Sequence, residues 1–287
     1  MNRLLLVVIF LFSSLTLSSE SWAAAIYANN ATGGTPYIYV MDPSTMAVSD
    51  TLTNLTGING RGVVVVNGIV YYTTATSNSV YSYTLATHTN NGALFSVSGT
   101  SALSTMAFDG TDFWIGDYSG TNHAYLYSPT GMLLRTISLA DCRGNCDGLE
   151  FFLQNGQGRL ISNRLDGCCG GSPTQYDVYD TNGNLLQAAF ITAPFPGTGI
   201  AFDGMNFFVS DINNGKVATF NGTTGALLGE QSITGFPVGK SPLVEDLSVD
   251  YALVLPPPPG TPEPATFVLM GMGMIGLALG TKLWKKP

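Results

Sequence analysis

Thr105–Gly110 (TMAFDG) runs into Phe113–Asp117 (FWIGD), then Ala124–Tyr127 (AYLY), then Gly131–Arg135 (GMLLR). The same order returns in Gly199–Gly204 (GIAFDG), Phe207–Asp211 (FFVSD), Val217–Phe220 (VATF) and Gly225–Leu228 (GALL). It occurs a third time in Gly62–Gly68 (GVVVVNG), Val70–Thr74 (VYYTT), Val80–Tyr83 (VYSY) and Gly92–Phe95 (GALF). Each set is four short runs of β-branched and aromatic residues, parted by glycine and asparagine turns. A four-strand unit returning at roughly 40 residues is the signature of a β-propeller. Residues 148–192 follow the same plan, with Leu149–Phe152 as first strand and Asn184–Gln187 as last.

The two ends of the repeat region complete each other. Residues 26–52 supply only second to fourth strands: Ile26–Ala28, Tyr37–Val40 and Ala47–Leu52. The missing first strand stands at the far end, in Asp246–Tyr251 (DLSVDY). Pairing it with the N-terminal strands closes a ring and removes open sheet edges. The expected fold is therefore all-β, a five-bladed propeller. Six blades and an open sandwich are the alternatives. The strand pattern resembles the NHL and YVTN class of propeller repeats, in which Asp or Asn ends the second strand; that resemblance implies a fold and no activity.

The recurring acids first have structural readings. Asp109 and Asp203 fall in turns between first and second strands. Asp117 and Asp211 fall at second-strand ends, where Asn163 and Asn29 are also placed. Short polar side chains at such positions accept from their own turn amides.

Antiparallel strands sort the loops onto two faces. One face carries short turns, such as Asn67-Gly68 and Thr181–Gly183. The other carries the longer stretches 29–36, 117–123, 140–147, 163–175, 192–198 and 234–245, where a rigid scaffold places binding residues. All four cysteines fall on this second face: Cys142, Cys146, Cys168 and Cys169. In an exported chain they predict two disulfides. Neighbouring Cα atoms sit about 3.8 Å apart, too close for an unstrained bridge. Bridges between Cys142/Cys146 and Cys168/Cys169 are expected, with the pairing open. Asp141, Asn145, Asp147 and Asp166 offer oxygens to calcium, but the spacing is not an EF-hand loop. The expected cofactor is none, with calcium the one candidate.

Residues 26–255 hold seven Lys and Arg against seventeen Asp and Glu, a net charge of −10. Such a domain repels nucleic acid, so no nucleic-acid partner is expected. Enzyme signals are thin. A glycoside hydrolase needs two carboxylates roughly 5–10 Å apart across a cleft. Glu150, Glu245 and Asp246, on or beside inner strands, are the candidates for that chemistry. His88 and His123 are the only histidines and accompany no hydrolase motif.

The chain's ends carry addresses. Met1 to about Ala25 has the form of a signal peptide: Arg3, an apolar run from Leu4 to Leu17, then small residues Ala23, Ala24 and Ala25. At the other end a Pro-rich linker, 256–264, contains Pro262-Glu263-Pro264. An apolar run from Ala265 to Leu279 and the cations Lys282, Lys285 and Lys286 follow. Residues 265–284 would form a helix of about 30 Å, one hydrocarbon core.

The triplet, apolar run and basic end together resemble the Pro-Glu-Pro C-terminal (PEP-CTERM) sorting signals of Gram-negative bacteria. Here the basic end is lysine, interrupted by Leu283 and Trp284, where the family has an arginine run. The resemblance implies processing by an exosortase near Pro262–Pro264. It implies an inner-membrane anchor with the domain in the periplasm, then a place at the cell surface or in a biofilm matrix of exopolysaccharide. The function expected is that of a non-enzymatic propeller binding carbohydrate or protein. A secreted carbohydrate-active enzyme and a structural spacer are the alternatives.

Overall fold

The computed structural model describes residues 25–140, 147–164, 173–240 and 242–255. It is a five-bladed β-propeller, each blade a four-stranded antiparallel meander. The first blade is β4 (Gly60–Val66), β5 (Ile69–Thr74), β6 (Ser79–Thr84) and β7 (Thr89–Ser96). The second is β8 (Leu103–Phe108), β9 (Phe113–Asp117), β10 (His123–Tyr127) and β11 (Leu133–Ser138). The third is β12 (Leu149–Gln154), β13 (Gln157–Asn163), β14 (Thr174–Asp180) and β15 (Leu185–Ala193). The fourth is β16 (Gly197–Phe202), β17 (Asn206–Asp211), β18 (Lys216–Asn221) and β19 (Leu227–Ser232).

The closing blade joins the chain's two ends. β20 (Val244–Ser248) pairs antiparallel with β1 (Ile26–Asn30), which leads to β2 (Ile38–Met41) and β3 (Val48–Leu52). The closing strand is shorter than the sequence suggested. After Ser248 the chain turns into a one-turn helix, α1 (Tyr251–Val254), capped by the Asp250 side chain, which accepts from the Ala252 amide. Asp246–Tyr251 is thus half strand and half cap.

The core lies between blades, where alternating apolar residues of neighbouring sheets meet. Tyr39, Tyr72, Trp114, Phe152 and Phe207 are fully buried there. The outer strands are the most exposed, and every residue of β19 faces solvent. Inner strands are buried almost throughout, so their polar residues surround the ring's axis.

The registers align the inner strands. Gly60 lies opposite Thr74, Leu103 opposite Asp117, Gly197 opposite Asp211 and Val244 opposite Asn30. Asn30, not Asn29, therefore holds the slot shared by Asp117 and Asp211, and its Oδ1 accepts from the Tyr37 amide. Two residues further along the inner strands, Gly62, Thr105, Gly199 and Asp246 share one level, while Glu150 of β12 lies nearer the short-turn end. Two of these must be glycine: a Cβ on Gly199 would stand 2.4 Å from the Asp246 Cα, and one on Gly62 2.6 Å from the Ser104 carbonyl.

The turn acids behave as expected. Asp109 accepts from the Thr111 and Asp112 amides, and Asp203 from those of Met205 and Asn206. Asp117 binds the Ser119 amide and the Thr100, Thr121 and Tyr125 hydroxyls; together its donors hold the carboxyl below the ordinary range despite burial.

Candidate functional site

The axis of the ring has two differently built ends. At the end bearing the long loops, Arg61 of β4 and Glu245 of β20 form a buried ion pair. One guanidinium nitrogen of Arg61 also donates to the Tyr118 hydroxyl at 2.8 Å. The guanidinium carbon lies 4.2 Å from the centre of the Tyr118 ring. Asp147, itself buried, adds a negative field at the same pair. Burial pushes the Glu245 carboxyl up to about 7, Arg61 opposes the shift, and Asp147 reinforces it. Glu245 Oε2 has no hydrogen-bond partner among the described residues.

One level in, Asp246 spans three strands. Its Oδ2 accepts from the Val63 amide of β4, the Met106 amide of β8 and the Thr105 hydroxyl. Thr105 Oγ1 in turn accepts from the Leu149 amide of β12. Ser248 Oγ and Asp250 Oδ1 continue the series, accepting from the Val65 and Asn67 amides. Alternate side chains of β20 and of the turn after it thus satisfy alternate amides of β4 and of the turn that follows it, a ladder made of side chains where two blades meet. Burial raises the Asp246 carboxyl well above its ordinary value, against the pull of these donors.

At the short-turn end, Glu150 serves the third and fourth blades. Oε1 accepts from its neighbour's amide at Phe151, and Oε2 from the Phe202 amide of β16. The Tyr251 hydroxyl of α1 donates to Oε1 from below. Burial pushes the Glu150 carboxyl up to about 8, and these three donors pull the other way. Tyr251 is itself buried, and Val254 and Leu255 pack against the core clusters around it, so the C-terminal segment stoppers this end.

The three candidate carboxylates are therefore brought to one axis, but to separate tasks. Glu245 sits at the long-loop mouth, Asp246 bridges strands, and Glu150 points towards the stopper. Arg61 was not singled out from the sequence, although it precedes a four-valine run in the repeat slot that Glu245 occupies in β20. Tyr118 has Arg61 over one face of its ring. Of the calcium candidates, Asp147 joins the Arg61 pair; Asp141, Asn145 and Asp166 lie outside the described residues, as do all four cysteines. Among the described residues no three His, Cys, Asp or Glu side chains converge on a metal position. No helix among them is long and apolar enough to cross a membrane; the signal segment, linker and tail lie outside them.

Residues 260–282 match the family model described as the PEP-CTERM protein-sorting motif. The chain carries a PEP-CTERM sorting motif. It is accordingly an exported protein, held at the membrane before exosortase processing. No curated protein matches the sequence. Among solved structures the PEP-CTERM chain is similar to one in a nidogen/laminin complex, with 11% identity and a TM-score of 0.51. That match covers 79% of this chain and 99% of the other, and the likeness is one of fold. A Myxococcus xanthus glutaminyl cyclase gives 15% identity and a TM-score of 0.45 over 68% of this chain and 72% of its own. A protein from Bacteroides caccae gives 10% and 0.49, over 73% of each chain.

Proposed function

We propose that the protein is a non-enzymatic component of the cell surface or extracellular matrix, whose long-loop face binds carbohydrate or protein. The observation that carries this reading is the polarity of the axis. The stopper at the short-turn end leads directly to the linker and sorting motif. The opposite end, with Arg61, Tyr118, Glu245 and Asp147 at its centre, is the one directed away from the anchor. Glu150 and Asp246 each accept from backbone amides of a neighbouring blade, which ties them to the scaffold. The two clusters of cysteines border the same outward face in the sequence, and disulfides there would stiffen it.

One observation favours the enzyme alternative. Glu245, raised towards neutrality at the mouth, has the acidity range suited to a general acid. The test uses the full chain, oxidised, in detergent, against the exopolysaccharide of its own host. Binding and new reducing ends are recorded together, with calcium and with chelator. Saturable binding without new reducing ends is the expected result. Oligosaccharide release that Glu245→Gln abolishes would replace this reading with the enzyme. Absence of both signals would leave the spacer. Loss of binding in chelator would place calcium in the loops.

A further inference from the structure

The short-turn face is unevenly apolar. Of the large apolar side chains exposed among the described residues, all but Ile58, Leu94 and Val238 lie on this side of the ring. Three successive blades place a leucine pair in the same slot of the outer strand. Leu133 pairs with Tyr127, Leu185 with Tyr179 and Leu227 with Phe220, and each is followed by a second leucine. These six side chains, Leu133, Leu134, Leu185, Leu186, Leu227 and Leu228, are between 42% and 58% exposed. The first blade has Asn90 in this slot and the closing blade Val48 followed by Ser49. The leucines therefore form an arc over the second, third and fourth blades alone. Met205 at a fourth-blade turn and Leu253 on α1 extend it inward, at 73% and 65% exposure.

Isolated exposed leucines need no explanation, but an aligned set over three blades does. The course of the chain says what lies opposite. Both described ends, Ala25 before β1 and Leu255 after α1, emerge on this face. Leu255 packs with residues of the second and third blades, its Cδ1 3.7 Å from where a Cβ on Gly110 would be. The chain thus leaves inside the arc. Nine residues, 256–264, then separate it from the apolar run beginning at Ala265. Fully extended they reach about 30 Å. While the chain is anchored, this face is held within that distance of the bilayer, whereas the long-loop face is a whole propeller further away.

We propose that the leucine arc of the second to fourth blades rests on the zwitterionic lipid surface of the membrane that holds the chain before processing. Asp109, Asp112, Asp180 and Asp203 stand in the turns of the same blades and oppose anionic headgroups, so apolar contact rather than charge drives the docking. The arc enters the acyl boundary, and the domain sits tilted onto those three blades.

Two tryptophan variants of the full chain test this, Leu186→Trp in the arc and Val238→Trp on the opposite face. Each is reconstituted in phosphatidylcholine vesicles with plain or brominated acyl chains. The parent chain's signal from Trp22, Trp114 and Trp284 is subtracted. Apolar faces at an interface sit about 5–10 Å into the headgroup and acyl boundary, so the Leu186→Trp signal should fall about two-fold with bromine while Val238→Trp is unchanged. Equal quenching of both, or none at Leu186→Trp, would overturn the proposal. A blue shift at Leu186→Trp that grows with protein density, without bromine quenching, would assign the arc to a second copy of the chain and overturn it too.

Discussion

The two ends of the central axis both bury a glutamate at a five-strand convergence, yet they solve the problem differently. At the long-loop end Glu245 meets a cation, Arg61, and keeps one oxygen unpartnered. At the short-turn end Glu150 meets only neutral donors: two amides and the Tyr251 phenol. The first arrangement sets a cation against the carboxyl that burial raises, beneath the long loops. The second suits a sealed interior, where a neutral carboxyl costs less than a buried ion. The difference separates an end held by an ion pair from an end held by neutral donors.

The largest test of that contrast removes the stopper. Tyr251→Ala should cost about 3–5 kcal/mol, as large buried aromatics do, and more than Tyr251→Phe, which keeps the packing and drops only the bond to Glu150. Urea unfolding measures both. Equal, small losses would show that α1 does not hold the ring shut.

Breaking the mouth pair comes next. Arg61→Met should cost about 3–5 kcal/mol, because it strands Glu245 in the interior, and the double variant Arg61→Met, Glu245→Leu should recover most of the loss. A double variant no better than the single would place the stabilisation in Tyr118 or Asp147 instead.

The pH dependence sharpens the same contrast. Glu150 is raised to about 8 when folded, from an ordinary value of 4.5. Between those values the folded state binds a proton that the unfolded state has released. Stability therefore falls as pH rises through that window, by up to about 1.4 kcal/mol per pH unit from this group, and levels off above pH 8. Glu150→Gln should flatten that part of the curve. An unchanged slope in thermal unfolding between pH 5 and pH 8 would mean that Glu150 is ionised in the ring.

The smallest effect belongs to the turns. Asp203→Ala removes the oxygen that accepts from two turn amides and should cost about 1 kcal/mol, close to the net worth of a hydrogen bond. A change several times larger would make that turn part of the ring's closure.

The repeat made most of this fold legible, because a propeller needs only local hairpins at a fixed period and one pairing between distant ends. The first half of Asp246–Tyr251 was found because it carries the strand pattern of the other inner strands. The second half was misread because Tyr251 continued the apolar alternation. Asp250 before Tyr251–Val254 was the missed signal, an N-cap ahead of an apolar turn. The candidate site was legible in part. Carboxylates on inner strands were visible as residues, but their partners lie in other blades, many residues away. Arg61 and Glu245 share a repeat slot, and opposite charges in one slot of neighbouring inner strands would have betrayed the pair.

The closing blade also sets an order of events. Its outer three strands are made first and its inner strand last, so β1 waits with an open edge while four blades are synthesised and exported. Closure comes only when β20 has crossed the membrane, and the sorting triplet begins 14 residues after it. The address at the end of the chain is therefore delivered together with the last piece of the ring, and a domain that stalls before closing has not yet presented the tag that would release it.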